Sequence, residues 1–287
     1  MKYQEYKFCM SDSFELKDIF DCGQCFRWNK EDDETYIGVI KDGVLNIKKH
    51  NNQIWVKGIL NRDIKNVIEE YFDLKKDYKK IKEDFSKIDE FMKVSTEFGE
   101  GIRILNQDLW ECIISFIISA NNNIPRIKKI IESLSKTYGK KVVFENKEYF
   151  LFPEPEELAK ASVAELRGHG LGFRDIRVYE TTRKILKKEI DIEKLKKINN
   201  SEKIKEELLK LDGVGPKVAD CIMLFSMQRY DVFPIDVWVR RVMNDLYIKC
   251  EKEEAVSKKE ILKLADEKFG SLAGIAQQYL FYWRREQ

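Results

Sequence analysis

Histidine is nearly absent from this chain of 287 residues: only His50 and His169 occur. A histidine-supported zinc site therefore has little to draw on, and the six scattered cysteines (9, 22, 25, 112, 221 and 250) do not compensate. Cys22-Gly-Gln-Cys25 is a CxxC pair, but no second pair stands at zinc spacing, so a strand or turn position is a simpler reading than metal or redox chemistry. No apolar run approaches the roughly 18 residues a membrane span needs. Residues 1–8 are polar and charged, unlike a signal peptide, and the free thiols then point to a reducing, cytoplasmic compartment. A charge excess of one sign is missing too. Lys and Arg number 52 against 50 Asp and Glu, a formal net charge of +2. A nucleic-acid surface, if there is one, must come from local segregation of charge.

What is present suffices for a real core. Hydrophobic residues make up 43% and charged residues 36% of the chain, which fits a globular protein of two domains. Residues 1 to about 65 carry strand signals. Tyr36, Ile37, Val39 and Ile40 form one run, Val44, Leu45 and Ile47 another, and Ile54, Trp55 and Val56 a third. Asp-Asp, Asp-Gly and Asn-Asn pairs punctuate them as turns. Alternation is only partial. A Lys/Glu/Asp-rich helical stretch follows over about 64–93. After Phe98-Gly99-Glu100-Gly101 the pattern turns helical and stays so, with helices over 107–120, 124–138, 154–168, 173–188, 201–210, 216–228, 237–248, 257–269 and 272–284. The expected architecture is α+β: an antiparallel β domain with a flanking helix over 1–98, then a mostly α-helical domain over 99–287.

The most informative segment is LLKLDGVGPKVADCIMLF at 208–225. Leucines close one helix, Gly213-Val214-Gly215 turns tightly, and Pro216 takes a favoured first helical position. Two glycines allow close backbone approach, and the next helix offers free N–H groups, so the hairpin can cradle a phosphate without side-chain charge. On Gly-x-Gly alone, an ordinary helical hairpin is the simpler reading. Lys217 alters that. It stands in the first turn of a helix, where the macrodipole opposes an ammonium, and it shares its face with Cys221 and Phe225 at i+4 and i+8. Dipole and desolvation together are expected to lower its pKa and suit it to nucleophilic attack. Nineteen residues on, Asp236 precedes a new helix. Its plain reading is an N-cap, and a carboxylate so held also suits a developing oxocarbenium ion.

These residues resemble the helix-hairpin-helix glycosylase superfamily, whose signature is a hairpin ending in lysine followed by a Gly/Pro-Asp loop. Within it the chain resembles the 8-oxoguanine DNA glycosylase family, as a bacterial member. The likeness spans most of the chain through Gly23-Gln-Cys-Phe-Arg-Trp28, Gly101-Ile-Arg-Ile104, Ser115-Phe-Ile-Ile-Ser-Ala-Asn-Asn-Asn-Ile-Pro-Arg126, Gly170-Leu-Gly-Phe-Arg174, Val214-Gly-Pro-Lys-Val-Ala-Asp-Cys221 and Ala273-Gly-Ile-Ala-Gln277. It implies removal of 8-oxoguanine from double-stranded DNA by amine attack of Lys217 at C1′, assisted by Asp236, with a β-elimination that nicks abasic sites.

The resemblance also implies roles for residues whose plainer readings differ. Asn121, otherwise a capped-turn asparagine, would fill the hole left by the flipped nucleotide. Arg126 and Arg174 would read the base opposite the lesion. Gln277 would meet the lesion's Watson–Crick edge, with Phe281 and Cys221 covering its two faces. Gly23, otherwise a turn glycine, would discriminate: oxidised guanine carries a hydrogen on N7 where guanine has a lone pair, so a carbonyl there accepts from one and repels the other. Gly213 and Gly215 would hold phosphate.

Three positions depart from the family. Phe173 stands for the usual tyrosine, keeping a wedge but losing a hydroxyl, which bears on preference for cytosine opposite the lesion. Trp238 replaces a histidine that contacts a flanking phosphate, and Phe225 replaces a methionine. The four-cysteine C-terminal cluster of the related endonuclease III family is missing, so no iron–sulfur centre, other metal or cofactor is expected. The expected partner is lesion-bearing duplex DNA, bound by a monomer with no membrane contact. Two rival readings predict other outcomes: a glycosylase of the same fold for another damaged purine, and a non-catalytic hairpin module that binds DNA without releasing a base.

Overall fold

The computed structural model describes residues 1–10, 13–31, 35–251 and 256–287. The chain opens with β1 (Lys2–Cys9) and α1 (Leu16–Asp21), followed by β2 (Trp28–Lys30), β3 (Tyr36–Ile40), β4 (Gly43–His50) and β5 (Gln53–Leu60). These strands form one antiparallel sheet in the order β1-β5-β4-β3-β2. The three predicted runs are β3, β4 and β5. The predicted Asp-Asp turn lies outside the described residues.

The sheet is covered on both faces, and this is why alternation was weak in the sequence. Tyr36 and Ile40 face a core with Phe14, Ile19, Phe20 and Phe72, whereas Ile37 and Val39 pack on Val142 and Phe144. Every residue of β3 is therefore buried. Gly38 is dictated by packing: a Cβ there meets the Trp28 indole at 2.3 Å.

The charged stretch is not one helix. It breaks into α2 (Ile64–Tyr71), α3 (Tyr78–Phe85) and α4 (Glu90–Phe98). Asp63, Asp77 and Asp89 each cap the helix that follows by accepting from a backbone N–H. Next come α5 (Leu109–Ser119) and α6 (Ile124–Tyr138). Nine residues of α5 are buried, as expected of a helix that is apolar all round.

The expectation of unbroken helix after residue 101 is corrected here. β6 (Lys141–Phe144) and β7 (Lys147–Phe150) form a hairpin, turned by Glu145 and Asn146, both at positive φ. This hairpin supplies the second cover of the sheet. Beyond it lie α7 (Pro155–Leu158), α8 (Val163–Leu166), α9 (Asp175–Leu186), α10 (Ile192–Leu195), α11 (Ser201–Leu208), α12 (Pro216–Met227), α13 (Val237–Met243), α14 (Lys258–Phe269) and α15 (Ala273–Arg285).

Two buried polar groups tie the β part to the helical part. Arg103 donates to the carbonyls of Ser13, Phe72, Asp73 and Lys76. The Asp73 carboxylate accepts from Tyr230 Oη at 2.7 Å and from Gln228 Nε2 at 3.1 Å.

Candidate active site and DNA interface

Gly215 ends the hairpin turn as the N-cap of α12, with no side chain capping the helix. Nothing lies within 4 Å of where its Cβ would stand. The approach to the start of α12 at Gly215 is thus open, as an anion cradle requires. Gly213 takes φ +83, and a Cβ there meets the Arg177 side chain at 2.9 Å and Ile117 at 3.1 Å. Only glycine fits both the turn and the packing.

Lys217 is half-buried on the first turn of α12, with Nζ 5.8 Å from the centre of the Phe116 ring. Phe116 stacks on Phe225 at 5.6 Å and meets Phe26 edge-on at 5.5 Å. The amine therefore borders the expected apolar wall, and Phe116 is a member of that wall that the sequence did not single out.

The expected direction of the Lys217 pKa is overturned. The Cys221 sulfur, with Asp236 in support, holds the ammonium above the ordinary lysine range, against burial, which lowers it. Dipole and desolvation were weighed in the sequence, but two acidic neighbours outweigh them. Burial in turn pushes the Cys221 thiol up, while Lys217 draws it down. Asp236 is the N-cap of α13, accepting from Val239 N at 2.8 Å. The plain reading of this carboxylate as a cap is thus the observed one.

A second group forms where α15 meets the turn after α1. Gly23 takes φ +88, and the position of its Cβ lies 3.7 Å from Phe281 Cε1 and 3.1 Å from Arg285 Nη1. Gln278 Nε2 donates to the Cys22 carbonyl at 2.6 Å, whereas Gln277, buried beside it, makes no side-chain hydrogen bond among the described residues. Gln24 locks the turn from behind. Its amide donates to Ile19 and Arg103 carbonyls and accepts from Leu105 N, each at 2.8 Å. Gln107 then joins this turn to the lysine helix, donating from Nε2 to the Gln24 carbonyl and from its backbone to Phe225. Gln24, Gln107, Gln278 and Arg285 were not singled out in the sequence. Gln24 alone carried a local signal, lying inside a quoted motif.

The third group surrounds Asn121, which is exposed at φ +51. Arg174 is buried, with its guanidinium turned inward. It donates to Ala120 O at 2.6 and 2.8 Å, to Asn121 O at 2.6 Å and to Leu171 O at 3.2 Å. In this arrangement the Arg174 fork is taken up by these carbonyls and supports Asn121, whose backbone stands at φ +51. Carbonyls freed at the end of α5 attract it there. Arg126 is exposed and reaches Gly170 O at 3.2 Å. Phe173 is 51% exposed and Trp238 is 49% exposed, so neither is a core aromatic. Arg174 and Arg177 lie 4.3 and 5.1 Å from the Phe173 ring centre. Arg177 thereby touches both the hairpin glycine and the exposed phenylalanine.

No group of three or more His, Cys, Asp or Glu that could hold a metal ion occurs among the described residues. Cys22 and Cys25 are both buried.

An uncapped two-glycine hairpin, a lysine–carboxylate pair and exposed aromatics among guanidinium groups define a base-excision type of DNA-binding domain. Comparison with known proteins agrees. Residues 114–269 match the model of the HhH-GPD superfamily base excision DNA repair protein, and residues 7–113 match that of the 8-oxoguanine DNA glycosylase, N-terminal domain. The N-glycosylase/DNA lyase of Saccharomyces cerevisiae is 31% identical over 93% of this chain and 82% of that protein. The apo crystal structure of Clostridium acetobutylicum 8-oxoguanine glycosylase/lyase is 47% identical, covering 95% of this chain and 93% of that one, with a TM-score of 0.88. Its complex with double-stranded DNA containing cytosine opposite 8-oxoguanine gives 46% identity, 96% and 93% coverage, and a TM-score of 0.90. The chain belongs to the 8-oxoguanine DNA glycosylase family.

Proposed function

We propose that Lys217 is the amine nucleophile and Asp236 the electrostatic partner in a repair reaction that removes 8-oxoguanine from duplex DNA. The chain is a base-excision repair enzyme, an N-glycosylase and DNA lyase. The observation that carries the residue assignment is the half-buried Lys217, which feels both Cys221 and Asp236 at the helix start that follows the hairpin turn.

The neutral amine attacks C1′ as the bond from C1′ to the base breaks. The base leaves with that electron pair and a proton, and the adduct opens to a Schiff base. Loss of a proton from C2′ then expels the 3′ phosphate. Asp236, fixed by Val239 N–H, stabilises the positive charge that develops on the sugar. An amine serves both steps, whereas activated water stops at the abasic site.

Gly23, Cys221, Gln277 and Phe281 form the lesion pocket in this reading. Asn121, held up by Arg174, fills the vacated stack, while Arg126, Phe173 and Trp238 border the strands. Gly213 and Gly215 hold phosphate. The protein works as a cytoplasmic monomer on DNA, with a β domain over 1–98 and a helical domain over 99–287. No described helix is long and apolar enough to cross a membrane.

Borohydride trapping on lesion duplex tests the nucleophile. The wild-type chain is expected to give a covalent adduct and Lys217→Gln none; an adduct in the variant overturns the assignment.

A further inference from the structure

Arg285 ends α15, where a cation is ordinarily explained by the helix dipole. Its guanidinium does something the dipole does not ask of it. It turns back across the chain and donates from Nη2 to the Asp21 carbonyl, two residues before Gly23. Its Nη1 lies 3.1 Å from the Cβ position of Gly23, and its Cζ is 5.5 Å from the centre of the Phe281 ring. Its ionic partner is the adjacent Glu286, which anchors the guanidinium on the outer side. Gln278, seven residues earlier on the same helix, grips Cys22 O at 2.6 Å. α15 thus holds the two peptide units before Gly23 at two points, and Phe281 stands between the two gripping residues in sequence.

A glycine at positive φ has no side chain with which to fix itself. Recognition through one backbone acceptor needs that acceptor held to a few tenths of an ångström, because a hydrogen bond weakens steeply with distance and angle. Gln24 and Gln278 fix the turn from within the protein, and the Arg285 guanidinium reaches both the turn and the Phe281 ring.

We propose that Arg285 is a positioning residue for lesion discrimination. It sets the Gly23 backbone against the Phe281 ring, so the pocket favours an oxidised purine over the unoxidised one. This rests on the reading of Gly23 and Phe281 as pocket residues.

The test uses the full chain and two substrates. A preformed abasic duplex presents no base, so nicking of it is the reference rate for fold and chemistry. With Arg285→Ala, the KM for 8-oxoguanine excision is expected to rise about tenfold relative to that reference, the scale of one charge-assisted hydrogen bond. In a Lys217→Gln background, the binding ratio of 8-oxoguanine duplex over guanine duplex is expected to fall by a similar factor. Arg285→Lys keeps the charge but not the fork, and is expected to restore less than half of the loss. Unchanged KM and binding ratio in Arg285→Ala overturn the proposal. So does a reduced salt slope of binding in Arg285→Ala that Arg285→Lys restores in full together with affinity, which marks a phosphate contact instead. Failure of the wild-type chain to release 8-oxoguanine at all sinks the pocket reading itself, and is seen before any variant is compared.

Discussion

Lys217 is held as an ammonium in the free protein by the neighbours that make it useful, Cys221 first and then Asp236. In the proposed mechanism only the neutral amine attacks, so a raised pKa means that excision is expected to speed up as pH rises toward the alkaline range. Removing the sulfur removes the larger cause of the rise. Cys221→Ala is therefore expected to move the acidic limb of the single-turnover rate profile to lower pH; a limb that stays in place shows that Asp236 alone sets it. The sequence carried the lysine and the Cys221 and Phe225 part of its wall, because these follow from spacing along one helix. It did not carry the sign of the shift, because spacing placed Cys221 beside the amine without showing that its acidity, joined by Asp236 from another element, outweighs burial. The carbonyl partners of Arg174 are hidden in the sequence because three of its four contacts lie at Ala120 and Asn121, more than fifty residues away.

At the scale of elements, the hairpin before α12 and the segment before α9 behave as one unit, since Arg177 fills the space beside Gly213 and lies near the Phe173 ring. Gly213→Ala places a Cβ 2.9 Å from that side chain at φ +83, costing on the order of 1–2 kcal/mol for the backbone alone. It is expected to weaken binding to lesion and undamaged duplex equally, measured by fluorescence anisotropy; loss confined to lesion duplex contradicts a phosphate role. Elements with strong local punctuation were legible. α6 runs over the residues expected, Ile124–Tyr138, because Asn123 caps it, Pro125 opens it and Gly139 stops it. β1 was hidden by its exposed, charged alternate positions on an edge strand. The β6–β7 hairpin was hidden by its lysines and glutamates, although Glu145-Asn146 is a two-residue turn of the kind that joins strands.

At the scale of the molecule, stability and function meet at Asp73. Its carboxylate receives Tyr230, whose own carbonyl accepts from Gly274 N at 2.7 Å at the start of α15. Tyr230→Phe leaves part of a buried carboxylate unsatisfied and is expected to cost about 1–3 kcal/mol. Thermal melts should show the midpoint falling by about 2–4 °C for each kcal/mol lost; an unmoved midpoint shows that Gln228 and Tyr78, whose hydroxyl also donates to Asp73 at 3.4 Å, suffice. The near-zero net charge, +2 over the whole chain, leaves attraction to DNA to local groups such as Arg126, and its replacement by alanine should reduce the salt slope of binding by about one.

The turn that carries Gly23 is flanked by Cys22 and Cys25. Both thiols are sealed from solvent and pushed up by burial, Cys22 to about 12. A thiol reacts with peroxide as its thiolate, so these two are nearly inert at neutral pH, and the exposed Cys9 is the first to be consumed. The lesion is itself a product of oxidants, and it accumulates when they are abundant. The turn proposed to read the lesion is thereby built to survive the conditions that create the enzyme's work.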